Sequence, residues 1–180
     1  MFAGLFKKTD PAVHDLYASL VEKARDPAFY TALGVPDTVD GRFDMIVLHA
    51  MLVMRRVRGQ GAAAETRGQE LFDLMFKDMD QSLREMGVGD MGVGKHIKRM
   101  AQAFYGRAER TEAGLDAKIA DPAGTELGAA LTDTVYRKAP ADAAKVAALQ
   151  DYLIRADRHI TAQAVPDMIA GRVNFAVPVI

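Results

Sequence analysis

LFDLMFKDMDQSLREMGVGDMGVGKHIKRMAQAFYGR, residues 71–107, is the stretch whose reading decides the fold. Its first half carries Leu71, Phe72, Met75, Met79, Leu83 and Met86 at steps of three and four, which predicts a helix with one apolar face. Gly87-Val88-Gly89-Asp90-Met91-Gly92-Val93-Gly94 then puts four glycines into eight residues and predicts a corner. Ile97, Met100, Ala101 and Phe104 form the stripe of a second helix. Charge separates across the corner. Glu65, Glu70, Asp73, Asp78, Asp80 and Glu85 outnumber Arg67, Lys77 and Arg84 before it, whereas Lys95, Lys98, Arg99, Arg107 and Arg110 face Glu109 alone after it. An acidic helix folded back beside a basic one is electrostatically matched, or each offers its own face to a partner.

Within this stretch Asp73–Lys77 and Asp80–Arg84 have the i,i+4 spacing of helical ion pairs, with the acid on the favourable N-terminal side. Gly87 is expected to end the first helix in a left-handed conformation. Asp90 is expected to accept amide hydrogen bonds of the turn or to cap the next helix. Two nucleotide-like patterns overlap here: Gly87-x-Gly89-x-x-Gly92, and Gly89-x-x-x-x-Gly94-Lys95 as the start of a phosphate loop. Both need a preceding β-strand to aim the loop. The preceding element reads as a helix, and His96 stands where a magnesium-holding hydroxyl belongs, so phosphate or nucleotide binding through Gly89–Lys95 is the weaker alternative.

Upstream, residues 38–58 are the most apolar segment, with Phe43, Met45, Ile46, Val47, Leu48, Met51, Leu52, Val53 and Met54 around a lone His49. Met45–Met54 would span about 15 Å as a helix, half a hydrocarbon core, so it reads as the buried centre of a bundle. No second ligand stands at i+3 or i+4 from His49, and a core histidine bonded to a backbone carbonyl is favoured over a metal site. Arg55, Arg56 and Arg58 complement the helix dipole, or receive an acidic partner or phospholipid headgroups. Asp10-Pro11 and Asp26-Pro27 mark helix starts. The second helix of the hairpin is expected to run toward Ile119; Gly106 and Gly114 weaken it and leave a break near 111–114 as the alternative. Asp121-Pro122 is expected to start another helix, and Asp142–His159 a last one, with Asp157-Arg158-His159 as solvent-facing polar residues. Residues 161–180 favour an extended chain that lies in a groove or awaits a partner.

Composition limits function. With 23 Lys and Arg against 24 Asp and Glu, the net charge of −1 lacks the basic excess of a nucleic-acid binder, and direct nucleic-acid recognition is not expected. There is no cysteine, hence no disulfide, thiolate metal site or thiol nucleophile. No metal-ligand spacing, cofactor motif or catalytic triad appears, so a non-enzymatic interaction protein is expected. Residues 1–8 hold Phe2, Leu5, Phe6, Lys7 and Lys8, which read as a frayed terminus or a small membrane-touching tip.

The order Arg42-Phe43-Asp44, Leu48-His49, Arg55-Arg56-Val57-Arg58 and then residues 71–107 resembles the ubiquinol–cytochrome c chaperone family over residues 42–107. That resemblance implies an assembly chaperone that binds newly made cytochrome b for the ubiquinol–cytochrome c reductase (bc1) complex. In mitochondrial relatives it implies a small partner subunit and proximity to the ribosome. The lack of an evident targeting sequence suggests a bacterial form, cytoplasmic or peripheral at the inner face of the membrane. The expected fold is all-α, a single-domain bundle of about six helices over 1–160 with an extended C-terminal tail, 161–180, packed on it. The expected partner-binding face is Asp73, Lys77, Asp80, Arg84, Asp90, Lys95 and Lys98, followed by Arg55, Arg56 and Tyr105, with helix-pairing salt bridges and caps as the other reading of the same residues. A peripheral membrane-surface binding protein is the other class left open.

Overall fold

The computed structural model describes residues 10–137 and 141–178. The architecture is all-α: eight α-helices and one π-helical turn among the described residues, and no strand. Helix α1 (Pro11–Ala24) starts where Asp10 accepts a hydrogen bond from the Ala12 amide, and α2 (Pro27–Thr31) repeats the device with Asp26 and the Ala28 amide. In both, proline at the first helical position has no amide to leave unsatisfied. Helix α3 (Val39–Val57), capped by Thr38, is the central element; apart from Arg42 and its two ends it is buried almost all round. It packs against α1, against α4 (Ala62–Glu85), against α5 (Asp90–Ala120) and against α7 (Ala143–Thr161). A fully enclosed side chain such as Leu52 contributes about 1.5–3 kcal/mol of burial.

The hairpin of α4 and α5 forms as expected, with a shorter corner. Gly87 has φ +84°, and the Gly87 and Val88 amides donate back to the Arg84 and Leu83 carbonyls, which closes α4. Helix α5 begins at Asp90, so Gly92 and Gly94 lie inside it rather than in the turn. Gly89 occupies the cap position without a side-chain bond, and Asp90 receives Arg84 instead of capping the helix. Helix α5 continues to Ala120 as expected, without the alternative break near 111–114. A β-carbon on Gly114 would lie 2.9 Å from the Leu127 Cα, so this glycine is spent on close approach of α6 (Glu126–Leu131) to an unbroken α5. The next helix begins at Glu126, later than Pro122, because Asp121 caps a turn through the Ala123 amide.

Helix α6 runs into the π-helical turn Thr132–Tyr136, which ends at Arg137 in a left-handed conformation, φ +48°. Residues 1–8, read as a frayed terminus or a small membrane-touching tip, lie outside the described residues, as does the Ala139-Pro140 pair at which the sequence pattern of the preceding helix is broken. The stretch after α7 contains a short helix, α8 (Val165–Ile169), before the chain becomes extended. Gln163 holds that extended part through both the amide and the carbonyl of Asn174, at 2.9 and 2.7 Å, and Phe175 packs edge-on against His49.

Candidate functional site

A groove of about 670 Å³ opens between the start of α3, the end of α4 and the first half of α5, with the end of α1 on its border. Its apolar lining continues the stripes that build the core, from buried to half-buried side chains. Phe43 and Ile46 come from α3, Met79 and Leu83 from α4, and Met100 from α5. Two large apolar side chains stand at its rim in solvent, Val39 at 73% exposure and Met86 at 60%. Three methionines give such a surface an adaptable shape. Five guanidiniums also line the groove, from Arg25, Arg42, Arg99, Arg107 and Arg137.

The groove is held open from beneath by a buried carboxylate. Asp44, only 1% exposed, accepts from Arg137 Nε at 2.8 Å and Nη2 at 3.0 Å, and from Arg107 Nη1. Arg137 also reaches Asp40 at 2.7 Å, and Arg107 sits 5.6 Å above the Phe43 ring centre. The left-handed backbone at Arg137 turns its side chain back toward α3, so three elements meet on one carboxyl group. Burial pushes the Asp44 carboxyl up to about 6, against the pull of Arg137 and Arg107, so it is ionised at neutral pH.

His49, one and a half turns further along α3, is a sealed core residue. Its Nδ1–H donates to the Met45 carbonyl at 2.7 Å, and its Nε2 accepts from the Tyr152 hydroxyl at 2.7 Å. The carbonyl can only accept, which fixes the tautomer. Burial drives the His49 pKa down to about 4, so the ring is neutral at pH 7. Among the described residues no group of three His, Cys, Asp or Glu is placed to hold a metal, and no helix is long and apolar enough to cross a membrane. The phosphate-loop reading does not hold either. Residues 90–95 are the first turns of α5 and follow a helix, not a strand.

None of the expected partner-binding residues lines the groove. Asp80 and Arg84 pair at 2.6 Å on the outside of the hairpin, and Arg84 also holds Asp90. Asp73 accepts from Gln69 at 2.8 Å rather than pairing with Lys77. Lys77, Lys95 and Lys98 are exposed on the same hairpin. Tyr105, also exposed, stacks on Phe72 at 5.3 Å between ring centres, away from the groove. Arg55 and Arg56 tie elements of the bundle together. Arg55 binds Glu112 on α5 at 3.1 Å and Asp157 on α7 at 3.2 Å, while Arg56 donates to the Gln163 carbonyl at 3.0 Å. Asp157 is therefore a buried partner of Arg55, not the solvent-facing residue its neighbours Arg158 and His159 are.

What sequence reasoning missed is the use of Met79, Leu83, Met86 and Met100, which all sit on the stripes read as core. The available signal was Arg42-Phe43-Asp44, whose three residues form the groove border, its lining and its buried support.

The model of the ubiquinol–cytochrome c chaperone family matches residues 31–175, from the end of α2 to the extended tail. The chain belongs to this family. Among solved structures, the Cbp3 homolog from Brucella abortus superimposes with a TM-score of 0.82 at 33% identity, covering 94% of this chain and 91% of that one. Two mammalian relatives, each named ubiquinol-cytochrome c reductase complex assembly factor 1, are 24% identical over 161 residues in mouse and in human. These cover 89% of this chain and 53% and 52% of the relatives, so the chain spans about half the length of the mammalian proteins it matches. The family match thus takes in Asp44 with its two arginines and all of the groove lining except Arg25.

Proposed function

We propose that this chain is a non-catalytic chaperone of ubiquinol–cytochrome c reductase assembly that holds newly made cytochrome b until it is incorporated. The family match across residues 31–175 carries this reading, because it includes every helix that walls the groove except α1. A membrane-destined segment needs its apolar surface covered while it waits, and a Met-lined groove with exposed apolar rims supplies such a cover without a covalent step. Val39 and Met86 stand in solvent at a cost that a bound apolar face would offset. In this reading the chain works in the cytoplasm or at the inner face of the membrane, where its client is made and inserted.

The test is deletion of the gene combined with in-cell crosslinking and capture of the tagged chain. Recovery of cytochrome b, together with loss of assembled bc1 complex on deletion, is the expected result. Unchanged bc1 levels and no cytochrome b among the captured proteins would overturn the reading.

A further inference from the structure

The charge around the groove carries information that the apolar lining does not. Across the chain, 23 cationic side chains balance 24 carboxylates, yet the groove is lined by five arginines, His96 and a single carboxylate, Asp40. Three of these arginines have carboxylate partners of their own: Arg42 with Asp37 at 2.7 Å, and Arg107 and Arg137 with Asp44. Arg25, just after α1, and Arg99, on α5, form no direct ion pair among the described residues; Arg99 donates to His96 Nδ1 at 2.9 Å, and Arg25 also borders the neighbouring surface that holds Glu22 and Asp78. Two guanidiniums from different walls therefore border the groove with donors not engaged by a carboxylate.

Size narrows the occupant. A full membrane-spanning helix about 30 Å long and about 10 Å across occupies on the order of 2,400 Å³. The groove offers about 670 Å³, enough for one face of a few helical turns. Such a length presents an apolar face together with the polar residues at the end of the segment. Flanks of membrane segments on the cytoplasmic side are enriched in Lys and Arg. An arginine-lined groove repels those ordinary flanks, and this is the repulsive element that specificity requires.

We propose that the groove takes the end of an apolar helix that carries carboxylates beside its apolar face, and that Arg25 and Arg99 bind those carboxylates. This rests on the chaperone reading and names the chemistry of the client it would accept. Guanidinium forks suit the task because they bind a carboxylate through two parallel N–H donors while their flat faces rest on apolar side chains.

The test uses the full chain and a pair of fluorescent helical peptides of about 15 residues, with one apolar face and either Glu or Lys flanks. Anisotropy titration should show the Glu-flanked peptide binding at least about tenfold tighter at low salt, with the preference shrinking as salt is raised. Arg25→Gln combined with Arg99→Gln should remove most of that preference, whereas Met86→Gln should weaken both peptides alike. The helical circular dichroism of each variant checks that it folds. Equal affinity for the two peptides, or tighter binding of the Lys-flanked one, overturns the proposal. So does binding to vesicles containing phosphatidylglycerol that needs Arg25 and Arg99 while neither peptide binds, because the occupant is then a lipid headgroup. The two levels of inference separate in cells. Equal capture of cytochrome b by wild type and the double arginine variant would sink the charge proposal and leave the chaperone reading intact. Tight binding of the Glu-flanked peptide without any capture of cytochrome b would do the reverse.

Discussion

Two arginine–aspartate networks in this molecule are mirror images in composition and opposites in setting. At the hairpin tip, one cation, Arg84, bridges two carboxylates, Asp80 and Asp90; Arg84 is 48% exposed and Asp90 88%. Beneath the groove, one carboxylate, Asp44, bridges two cations, Arg107 and Arg137, and is 1% exposed. The tip network joins residues within ten positions along the chain. The Asp44 network joins α3 to residues 63 and 93 positions away. The same chemistry is screened by water in the first case and ties together arginines that line the groove in the second. Burial and chain separation, not charge count, decide what an ion pair does here.

The most direct way to break this contrast is Asp44→Ala. It leaves Arg107 without its carboxylate and Arg137 with Asp40 alone, at a site closed to solvent on one side, and should cost about 3–5 kcal/mol in urea unfolding. A loss below about 1 kcal/mol would put the two networks in the same class.

A second buried polar group on α3 extends the comparison to pH. The folded pKa of His49, about 4, lies below its ordinary 6.5, so folding favours the neutral ring. Its contribution is fully present above pH 6.5 and is lost as pH falls toward 4, about 3 kcal/mol in all. Asp44 acts with opposite sign, because its folded value of about 6 lies above the ordinary 3.8 and protonation between those values favours the fold. The two effects are close in size, so between pH 7 and 4 they nearly cancel in the wild type and stability should change little. In His49→Gln it should rise as the medium is acidified. An unchanged acid slope in that variant would show that His49 is not the group titrating.

Gly114→Ala probes a contact equally distant from the local pattern. The added methyl would press on backbone atoms of Leu127 and Glu126, so a loss of about 1–3 kcal/mol is expected despite the better helix propensity of alanine. A higher melting temperature would mean that α5 and α6 can part without cost. The smallest effect belongs to Asp80→Ala at the exposed tip, a few tenths of a kcal/mol that disappears in high salt.

These contrasts also explain how much was legible in the sequence. Helical periodicity located α1, α3, α4 and α7, because those signals repeat within a few residues. Asp80–Arg84 was legible for the same reason. The His49–carbonyl bond was legible because its acceptor lies one turn away, whereas Tyr152, 103 positions distant, was not. Gly114 was read as a weak point because propensity is a local property and its contact with Leu127 is not. The groove was hidden for a related reason. Met79, Leu83, Met86 and Met100 follow the same spacing whether a stripe is covered to its end or left open, and the arginines around it come from α1, α3, α5 and the residue after the π-helical turn. The charged outer face of the hairpin stood out because its residues are adjacent in sequence. The concave surface on its other side is assembled from residues that are not.

A client held in the groove, and not on the charged outer face, can be located by placing a photo-crosslinking amino acid at position 86 or position 77 of the chain in cells. Both positions are exposed, so neither replacement threatens the fold. The account predicts cytochrome b captured from 86, with 77 at background. Capture from 77 with none from 86 would contradict it and move the binding surface to the outer face of the hairpin.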